Sequence, residues 1–483
     1  MKVLFAAAEA VPFAKTGGLG DVIGSLPKAL KKKDIDIRII LPLYDTIPEQ
    51  YKQEMLDLGT LTVPVAWRKQ YCGLKSLVFQ GVELYFIDNE YYFKRDRLYG
   101  YDDDAERFAF FSRAVLESLP KLGYKPDILH CHDWHTALIS VFLRAFYADI
   151  SSYEGIKTIL TIHNISYQGV FSYEVLGDII GIEQDDSIAL NLSLFSRINY
   201  LKGGIAYSDE LTTVSKTYAK EIITTDYGEN LDTLLKEKQN KLNGIINGLD
   251  YEDYNPLTDT ALKYNYKYSL KKKRKNKLEL QREFGLRVGD EVCLFAVVSR
   301  LTEQKGIELL ISVLPDLIKL KIQLVLLGTG DKTYEKALIV AAKLAPDCIG
   351  VRFEFDEALA RRIYAGSDIF LMPSRTEPCG LGQLIALRYA SIPVVHATGG
   401  LKDTICPYNM NNGQGNGFCF EEYSASAFFE AVKEAINIYN QPYLWNGLVK
   451  NAAKSNFSWS NAARDYVLLY RNIIRQGKED SNK

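Results

Sequence analysis

Residues 1–22 read MKVLFAAAEAVPFAKTGGLGDV, which is a short apolar run, a glycine-rich loop and the start of a helix. The apolar run from Val3 to Ala8 is too short for a signal peptide and is interrupted by Glu9, so it predicts a buried first strand. Glycines let a backbone approach a ligand, and a helix that begins near Asp21 favours an anion at its N-terminus. Lys15 adds a cationic donor at the loop entry. The stretch therefore predicts the first βα unit of a parallel sheet with a phosphate site in its loop; a purely structural glycine turn is the alternative.

Short apolar runs of this kind recur along the chain, with helix-length segments between them. They are Val3–Ala8, Ile37–Leu41, Asp127–His130 and Thr158–Ile162 in the first half, and Cys293–Val298, Ile322–Leu327, Ile369–Met372 and Pro393–Val395 in the second. This alternation is typical of parallel sheets built from βαβ units. We expect an α/β fold with two doubly wound, Rossmann-like domains that face a deep cleft.

The domain boundary is predicted where this rhythm breaks. The chain has 483 residues, more than one hydrophobic core usually organises. Glycines and asparagines in residues 243–249 interrupt the pattern before Pro256. We therefore place the N-terminal domain at 1–245 and the C-terminal domain at 246–455. Residues 456–483 predict an amphipathic helix, with a return to the first domain as one option, and a polar tail.

Composition excludes several classes of function. The chain has 58 Lys and Arg against 60 Asp and Glu, so no global field favours nucleic acid, an anionic membrane or a polyanionic substrate. No segment approaches the roughly 18 to 20 apolar residues of a membrane-spanning helix. The seven cysteines are odd in number and form no CxxC pair, which disfavours a disulfide framework. We expect a cytoplasmic protein whose partner is a neutral polymer.

Two clusters raise the question of a bound metal. His130, His132 and His135 lie in HCHDWH, which lacks the spacing of zinc sites, and strand alternation would point only the first two the same way. Asp102-Asp103-Asp104 resembles a carboxylate cluster for Mn²⁺ but directly precedes a helix, so we interpret it as the N-cap region of that helix. We expect no metal.

The basic run KKKRKNK at residues 271–277 has two interpretations. It precedes an apparent helix over 278–284, so we interpret it as the solvated start of that helix. Binding of an anionic surface is the alternative.

Two cations follow the first strand of the second domain. Arg300 and Lys305 come after the strand that ends in Val298, at the sheet edge where doubly wound folds bind ligands. They could neutralise a diphosphate, and an ordinary surface pair is the alternative.

A third segment favours the interpretation of these cations as part of a diphosphate site. After the strand Ile369–Met372, residues 373–381 (PSRTEPCGL) present Glu377 and then the N–H groups of Cys379, Gly380 and Leu381 at a helix start. This gives one acceptor for sugar hydroxyls beside donors for phosphate. A second glycine-rich loop, at Thr398, Gly399 and Gly400, follows.

Together these segments resemble the bacterial glycogen and starch synthases. The matching motifs are KTGGLGDV (15–22), HDWH (132–135), HNISYQG (163–169), NGLD (247–250), SRLTEQKG (299–306), SRTEPCGLGQLIALRYASIPVV (374–395) and TGGLKDT (398–404). The resemblance covers nearly the whole chain in order. It implies two domains in the GT-B arrangement, ADP-glucose as donor, the non-reducing end of an α-1,4-glucan such as glycogen as acceptor, retention of the α configuration, and no obligatory metal or other cofactor. A related enzyme that uses UDP-glucose and a non-catalytic glucan-binding protein are the alternatives.

The resemblance also implies a role for each matching position. In the first domain, Lys15, Gly17 and Gly18 would meet the donor phosphates, Asp21 would form the sugar site together with Asn247 just beyond the predicted boundary, His163 would lie beside the reacting glucose, and Asp133 and His135 would shape the acceptor side. In the second, Arg300 and Lys305 would stabilise the charge on ADP, Glu377 would hold the glucose hydroxyls, Phe355 would stack on adenine, and Cys379, Gly380, Leu381, Thr398, Gly399 and Gly400 would supply the loops around the donor.

The family mechanism that this implies is same-face attack, in which the leaving phosphate takes the acceptor's proton. A covalent nucleophile, Asp133 or Glu377, is the rival mechanism. Among the positions that depart from the family pattern, Thr376 replaces an aromatic residue, and Gly382 replaces a threonine whose hydroxyl can touch phosphate.

Overall fold

The computed structural model describes residues 1–267 and 269–481, and the chain forms two compact units. Unit 1 combines Met1–Gly248 with the described part of Trp459–Lys483, and unit 2 is Leu249–Ser458. The first segment of unit 1 ends at Gly248, three residues after the predicted boundary, and Ile245 N–H donates to Thr213 O at 2.9 Å within this unit. The end of the predicted polar tail lies outside the described residues.

The strands form one large sheet in each unit. In unit 1 they are β1 (Lys2–Ala6), β2 (Asp36–Pro42), β3 (Leu56–Val65), β4 (Arg68–Phe79), β5 (Val82–Asp88), β6 (Ile128–His132), β7 (Lys157–Ile162), β8 (Val170–Phe171), β9 (Ser193–Leu194), β10 (Arg197–Asn199), β11 (Glu210–Thr213) and β12 (Leu242–Gly244). In unit 2 they are β13 (Leu294–Val298), β14 (Gln323–Leu327), β15 (Ile349–Arg352), β16 (Ile369–Met372), β17 (Ile392–His396) and β18 (Phe418–Phe420).

Helices connect and cover these sheets. They are α1 (Gly18–Lys31), α2 (Glu49–Gln53), α3 (Glu90–Phe93), α4 (Asp104–Lys121), α5 (Trp134–Phe146), α6 (Ser187–Leu192), α7 (Tyr200–Tyr207), α8 (Lys216–Glu221), α9 (Asp232–Glu237), α10 (Leu270–Glu283), α11 (Ile307–Lys319), α12 (Lys332–Leu344), α13 (Glu357–Gly366), α14 (Gly382–Arg388), α15 (Gly399–Thr404), α16 (Ala425–Tyr439), α17 (Pro442–Lys454) and α18 (Trp459–Ser481). A π-helical turn spans Leu176–Ile180, and 3₁₀ turns span Gln239–Lys241 and Glu303–Lys305.

The sheet of unit 1 has nine strands in the order β12-β11-β7-β6-β1-β2-β5-β4-β3. The strands from β12 to β5 pair in parallel, and β4 and β3 add an antiparallel edge. Because parallel strands end at one edge of a sheet, the loops after β1, β6, β7 and β12 share that edge. A small antiparallel sheet, β8-β10-β9, lies outside it.

The sheet of unit 2 has six strands in the order β15-β14-β13-β16-β17-β18, all paired in parallel. Its central strands are buried on both faces, as their continuous apolar sequences require. The prediction of an α/β fold with two doubly wound domains is confirmed.

The interpretation of the basic run as a solvated helix start is wrong for two of its lysines. The run lies inside α10, where Lys273 and Lys277 are buried. Lys277 is only 1% exposed, and its Nζ lies 2.7 Å from Asp368 Oδ2. Lys273 Nζ donates to three backbone carbonyls, those of Tyr364, Ala365 and Tyr389. The two lysines are four residues apart, so they share the helix face that packs against the unit.

The aspartate triplet does lie at a helix start, although without the expected cap bond. Asp103 is the N-cap residue of α4, but its side chain pairs with Arg95 instead of a backbone N–H. Asp104 accepts from Arg107 Nη1 at 2.5 Å and from Gly100 N at 2.6 Å. Asp103 and Asp104 are therefore engaged in local ion pairs.

Candidate active site

The glycine loop after β1 is held by Glu9, whose side chain is buried. The Glu9 carboxylate accepts hydrogen bonds from Thr16 N at 2.6 Å, Thr16 Oγ1 at 2.7 Å and Gly17 N at 3.1 Å. Tyr99 OH donates to the same carboxylate. A buried carboxylate is stable only when its oxygens are hydrogen-bonded, so these donors fix the loop conformation.

The loop presents an ion pair at the start of α1. Lys15 Nζ lies 2.6 Å from Asp21 Oδ1, and both side chains are partly exposed. The Gly17 N–H donates to Glu9, so in this conformation it does not serve as the phosphate donor that the resemblance implies. Gly17 is the N-cap of α1 and offers no side-chain cap, so the first-turn N–H groups that begin at Gly18 are left for an anion.

Asp133 lies between β6 and α5 with φ 59°, which non-glycine residues seldom adopt. Its Oδ1 accepts from His163 N at 2.7 Å, which ties the ends of β6 and β7 together. Burial raises the Asp133 pKa to about 7, and the nearby Glu9 carboxylate contributes. Asp133 is therefore partly protonated at neutral pH and is already engaged by His163.

The histidines of HCHDWH separate into two groups. His130 and His132 stack at 4.4 Å between ring centroids, and His132 Nδ1 lies 3.1 Å from His163 Nε2. His135 instead stacks on Trp134 at 4.0 Å. His132 therefore contacts His163, and His130 packs behind His132. His135 lies among aromatic side chains instead.

Among the buried side chains whose polar atoms lack a hydrogen-bond partner in the described residues, two lie at predicted site positions of unit 1. Both ring nitrogens of His135 lack a hydrogen-bond partner among the described residues. The same is true of Asn247 Oδ1. Buried polar atoms normally find partners, so such orphans suggest a ligand that completes them. Both residues follow strands that end at the same edge of the sheet, β6 and β12.

In unit 2 the central feature is the ion pair of Lys305 and Glu377. Lys305 Nζ lies 2.6 Å from Glu377 Oε2, and Ser374 Oγ donates to the same oxygen at 3.0 Å. His396 Nδ1 lies 2.8 Å from the carbonyl oxygen of Ser374, which anchors the loop to β17. One buried carboxylate thus joins the loops after β13 and β16.

The second glycine loop supports this carboxylate rather than standing apart from it. Gly400 N donates to the carbonyl of Glu377 at 3.0 Å. A Cβ at Gly399 would lie 2.0 Å from Glu377 O, and one at Gly400 would lie 2.1 Å from Cys379 O. Only glycine permits this approach, so the loop that begins at Thr398 fixes the backbone beside Glu377.

The next feature is the N-terminus of α14, which no side chain caps. Leu381 is the N-cap residue and supplies no side-chain cap, and Gly380 has φ 75°. Gln383 Nε2 donates to the carbonyls of Cys379 and Gly380, which fixes the backbone just before α14. A Cβ at Gly382 would lie 3.2 Å from the Phe370 ring, so the unusual glycine matches its tight surroundings.

Two further predicted residues of unit 2 are exposed. Arg300 lies after β13, and its guanidinium has no ion-pair partner within the described part of the chain. Phe355 follows β15 and is 90% exposed, so its ring is available for stacking on a ligand. Neither contacts the Lys305–Glu377 pair through any bond in the described residues.

Sequence reasoning missed Glu9, Ser374 and His132. Glu9 could have been identified as a charged residue that interrupts an apolar run. Ser374 could have been identified by its position three residues before Glu377. The HCHDWH spacing raises His132 only as a candidate metal ligand. In residues 1–267 and 269–481, no group of three or more His, Cys, Asp or Glu side chains is arranged to hold a metal ion.

Within those residues no helix combines the length and apolar character needed to cross a membrane. All seven cysteines are free thiols.

Comparison with known proteins identifies the family. Residues 2–237 match the family "Starch synthase catalytic domain", and residues 277–454 match "Glycosyl transferases group 1". The glycogen synthase of Desulforamulus reducens is 50% identical over 99% of this chain and all of its own length. That of Lactobacillus acidophilus is 46% identical over 98% of this chain and all of its own length.

Solved structures agree. The catalytic domain of starch synthase IV from Arabidopsis thaliana, bound to ADP and acarbose, superposes with a TM-score of 0.90 at 34% identity, over 98% of this chain and 99% of that one. A sucrose-phosphate synthase from Thermosynechococcus elongatus, with a TM-score of 0.62 at 16% identity over 98% and 99% of the two chains, shares the fold. The chain therefore belongs to the glycogen and starch synthase family, and it is a glycosyltransferase with the GT-B fold.

Proposed function

We propose that this enzyme transfers glucose from ADP-glucose to the non-reducing end of an α-1,4-glucan such as glycogen, with retention of the α configuration and release of ADP. One arrangement carries the proposal: the buried carboxylate of Glu377, paired with Lys305, lies shortly before the N-terminus of α14, which no side chain caps. The carboxylate suits sugar hydroxyls, and the cation and the N–H groups suit a diphosphate.

Adenine is the base favoured for the donor. The Arabidopsis starch synthase that is 34% identical to this chain was solved with ADP and acarbose, which supports an adenine nucleotide and a glucan-like acceptor. Phe355 offers an exposed ring for stacking on the base. The alternative donor, UDP-glucose, would use the same phosphate and hexose contacts.

The proposed chemistry is electrostatic. As ADP leaves, negative charge develops on its phosphate and positive charge on the glucose ring. Arg300 and Lys305 stabilise the phosphate charge, because preorganised cations need no reorganisation as the charge develops. Glu377 holds the donor hydroxyls, and the acceptor attacks on the same face while its proton passes to the leaving phosphate.

The residues of unit 1 complete the assignment. Lys15, with the N–H groups at the start of α1, would meet the donor phosphates, and Asp21 and Asn247 would contact the sugar. His163 would lie beside the reacting glucose, and His135 would line the acceptor side.

Covalent catalysis by Asp133 is disfavoured. A nucleophile must be an available carboxylate, whereas the pKa of Asp133 is raised to about 7 and its Oδ1 accepts from His163 N. In this proposal Asp133 instead positions the backbone of His163.

We further propose that the enzyme requires no metal or other cofactor and that it is cytoplasmic. Seven free thiols in the described chain support a reducing compartment. If no metal takes part, a chelator leaves the rate of transfer unchanged, and restoration of a lost rate by Mg²⁺ or Mn²⁺ would overturn that point.

The test is release of nucleoside diphosphate from ADP-glucose and, separately, from UDP-glucose, with and without glycogen. Glycogen-dependent release of ADP, with little release of UDP, is expected. Release of UDP but not of ADP would show that UDP-glucose is the donor. Release of neither diphosphate would favour a non-catalytic glucan-binding protein.

A further inference from the structure

The inference concerns the imidazole pair of His132 and His163. His132 is fully buried at the end of β6, and His163 follows β7, the neighbouring strand. The ring nitrogens His132 Nδ1 and His163 Nε2 lie 3.1 Å apart, which is hydrogen-bond distance. One of the two nitrogens must therefore carry the proton between them.

Both rings are neutral. Burial lowers the pKa of His163 to about 3, and burial together with the neighbouring His130 and His163 lowers the pKa of His132 well below its usual range. A neutral imidazole has one N–H donor and one acceptor nitrogen. The proton in the shared bond therefore determines which atom of His163 is protonated.

The surroundings of His132 decide between the two arrangements. Its other nitrogen, Nε2, is buried and has no hydrogen-bond partner within the described residues. If His163 donated, His132 would have to carry its proton on Nε2, as a buried N–H without an acceptor. Orphaned buried N–H groups are rarer in proteins than under-satisfied acceptors. The favoured arrangement places the proton of His132 on Nδ1.

We infer that His132 is a positioning residue, whose Nδ1–H donates to His163 Nε2 and so keeps the proton of His163 on Nδ1. Nδ1 is then the donor that the partly exposed His163 offers to a ligand. This inference rests on the proposed function, in which His163 lies beside the reacting glucose. It adds that His163 acts there as a neutral donor to a sugar oxygen.

The ring of His132 is itself held in place. It stacks on His130 at 4.4 Å, and Phe5 of β1 packs against it at 4.8 Å. His130 is fixed at both nitrogens, by Tyr470 OH of α18 at 2.8 Å and Thr161 Oγ1 at 2.7 Å. The His132 ring therefore cannot flip easily to exchange its nitrogens.

A fixed, neutral donor suits this reaction. Positive charge develops on the glucose ring as ADP leaves, so an imidazolium at this position would oppose catalysis. The wrong neutral tautomer would present a lone pair to the sugar oxygen and lose a hydrogen bond. Such a loss corresponds to about a tenfold decrease in rate.

The direct test is the tautomer of His163 in the wild-type protein. Long-range ¹H–¹⁵N correlation spectra of protein labelled with [¹⁵N]histidine separate the two neutral tautomers, and the chain has only five histidines. The His163→Asn variant assigns the signals. A proton on Nδ1 of His163 is expected, and a proton on Nε2 would overturn the inference.

Two variants of His132 extend the test to catalysis. In His132→Asn the amide nitrogen can replace Nδ1 as donor, whereas His132→Leu has no donor. We expect the Asn variant to keep the tautomer and kcat, and the Leu variant to lose the tautomer and about tenfold in kcat with little change in KM for ADP-glucose.

A Leu variant with the wild-type tautomer and kcat would overturn the inference. If that variant does not fold, the wild-type spectrum and the Asn variant still decide. If the wild-type enzyme transfers no glucose, the proposed function fails, while the tautomer remains measurable by NMR.

Discussion

Lys305 Nζ lies 2.6 Å from Glu377 Oε2, and this ion pair joins the loops after β13 and β16. Both side chains are largely buried, and Ser374 adds a hydrogen bond to the same oxygen. The geometry gives Lys305 two tasks: it neutralises a buried carboxylate in the resting protein, and its cation lies next to the proposed diphosphate site.

Replacement of Lys305 by methionine should therefore affect both stability and turnover. The buried Glu377 would lose its counter-charge, which costs about 3 kcal/mol, and kcat should fall at least about 100-fold. Thermal unfolding and nucleotide release measure the two effects. Lys319→Met, at an exposed pair with Asp316, is the control and should match the wild type. Wild-type kcat in Lys305→Met would contradict the assigned role.

Glu9→Gln should weaken binding of the nucleotide. Both carboxylate oxygens of Glu9 accept hydrogen bonds, one from Thr16 N and Gly17 N and the other from Thr16 Oγ1 and Tyr99 OH, whereas glutamine has only one acceptor oxygen. We expect ADP affinity, measured by calorimetry, to fall about tenfold through loss of loop order. Glu49→Gln, at an exposed position, should leave the affinity unchanged. Equal affinity in both variants would show that the loop does not depend on Glu9.

The pKa of Asp133 predicts a pH-dependent effect on stability. The folded protein has a pKa of about 7 at this carboxyl, against 3.8 in an unperturbed carboxyl, so between these values it binds a proton that the unfolded chain releases. This contribution of Asp133 to stability is therefore present at low pH and is lost as pH rises toward 7. Relative to the wild type, Asp133→Asn should gain on the order of 1 kcal/mol of stability per pH unit across this window.

Chemical denaturation of the wild type and of Asp133→Asn across the same pH range makes this measurement. A stability difference that does not change with pH would show that the carboxyl titrates normally in the folded protein.

Lys277→Met should destabilise unit 2, although Lys277 lies in a run of surface-like sequence. Removal of the lysine leaves Asp368 buried without its cation, and such losses cost about 3–5 kcal/mol. Lys271→Met, at an exposed position on the same helix, should change stability by less than about 0.5 kcal/mol. Thermal unfolding distinguishes them, and equal effects would contradict the structural role of Lys277.

Eight of the parallel strands could be predicted from sequence because each carries a short, buried apolar run. Short parallel strands such as β12, which carry no such run, were not predicted. The predicted strand Ile369–Met372 is β16. The antiparallel hairpin of β3 and β4 was not predicted, because its strands at the sheet edge mix exposed and buried residues and have no continuous apolar run. Local patterning identifies central strands better than edge strands.

The site was predicted in outline because its motifs are long and specific. The residues that hold it were not, since their partners are distant in sequence. Glu9 meets Tyr99, Lys277 meets Asp368 and His130 meets Tyr470 only after folding. The role of the Gly399 and Gly400 loop also required the structure, because its contact with the Glu377 backbone is tertiary.

The most direct test of the account is the product itself. Glucose from ¹³C-labelled ADP-glucose is supplied with a maltooligosaccharide, and the linkage is determined by NMR. The account predicts an α-1,4-linked glucose at the non-reducing end. A β linkage, free glucose as the main product or no transfer would contradict it.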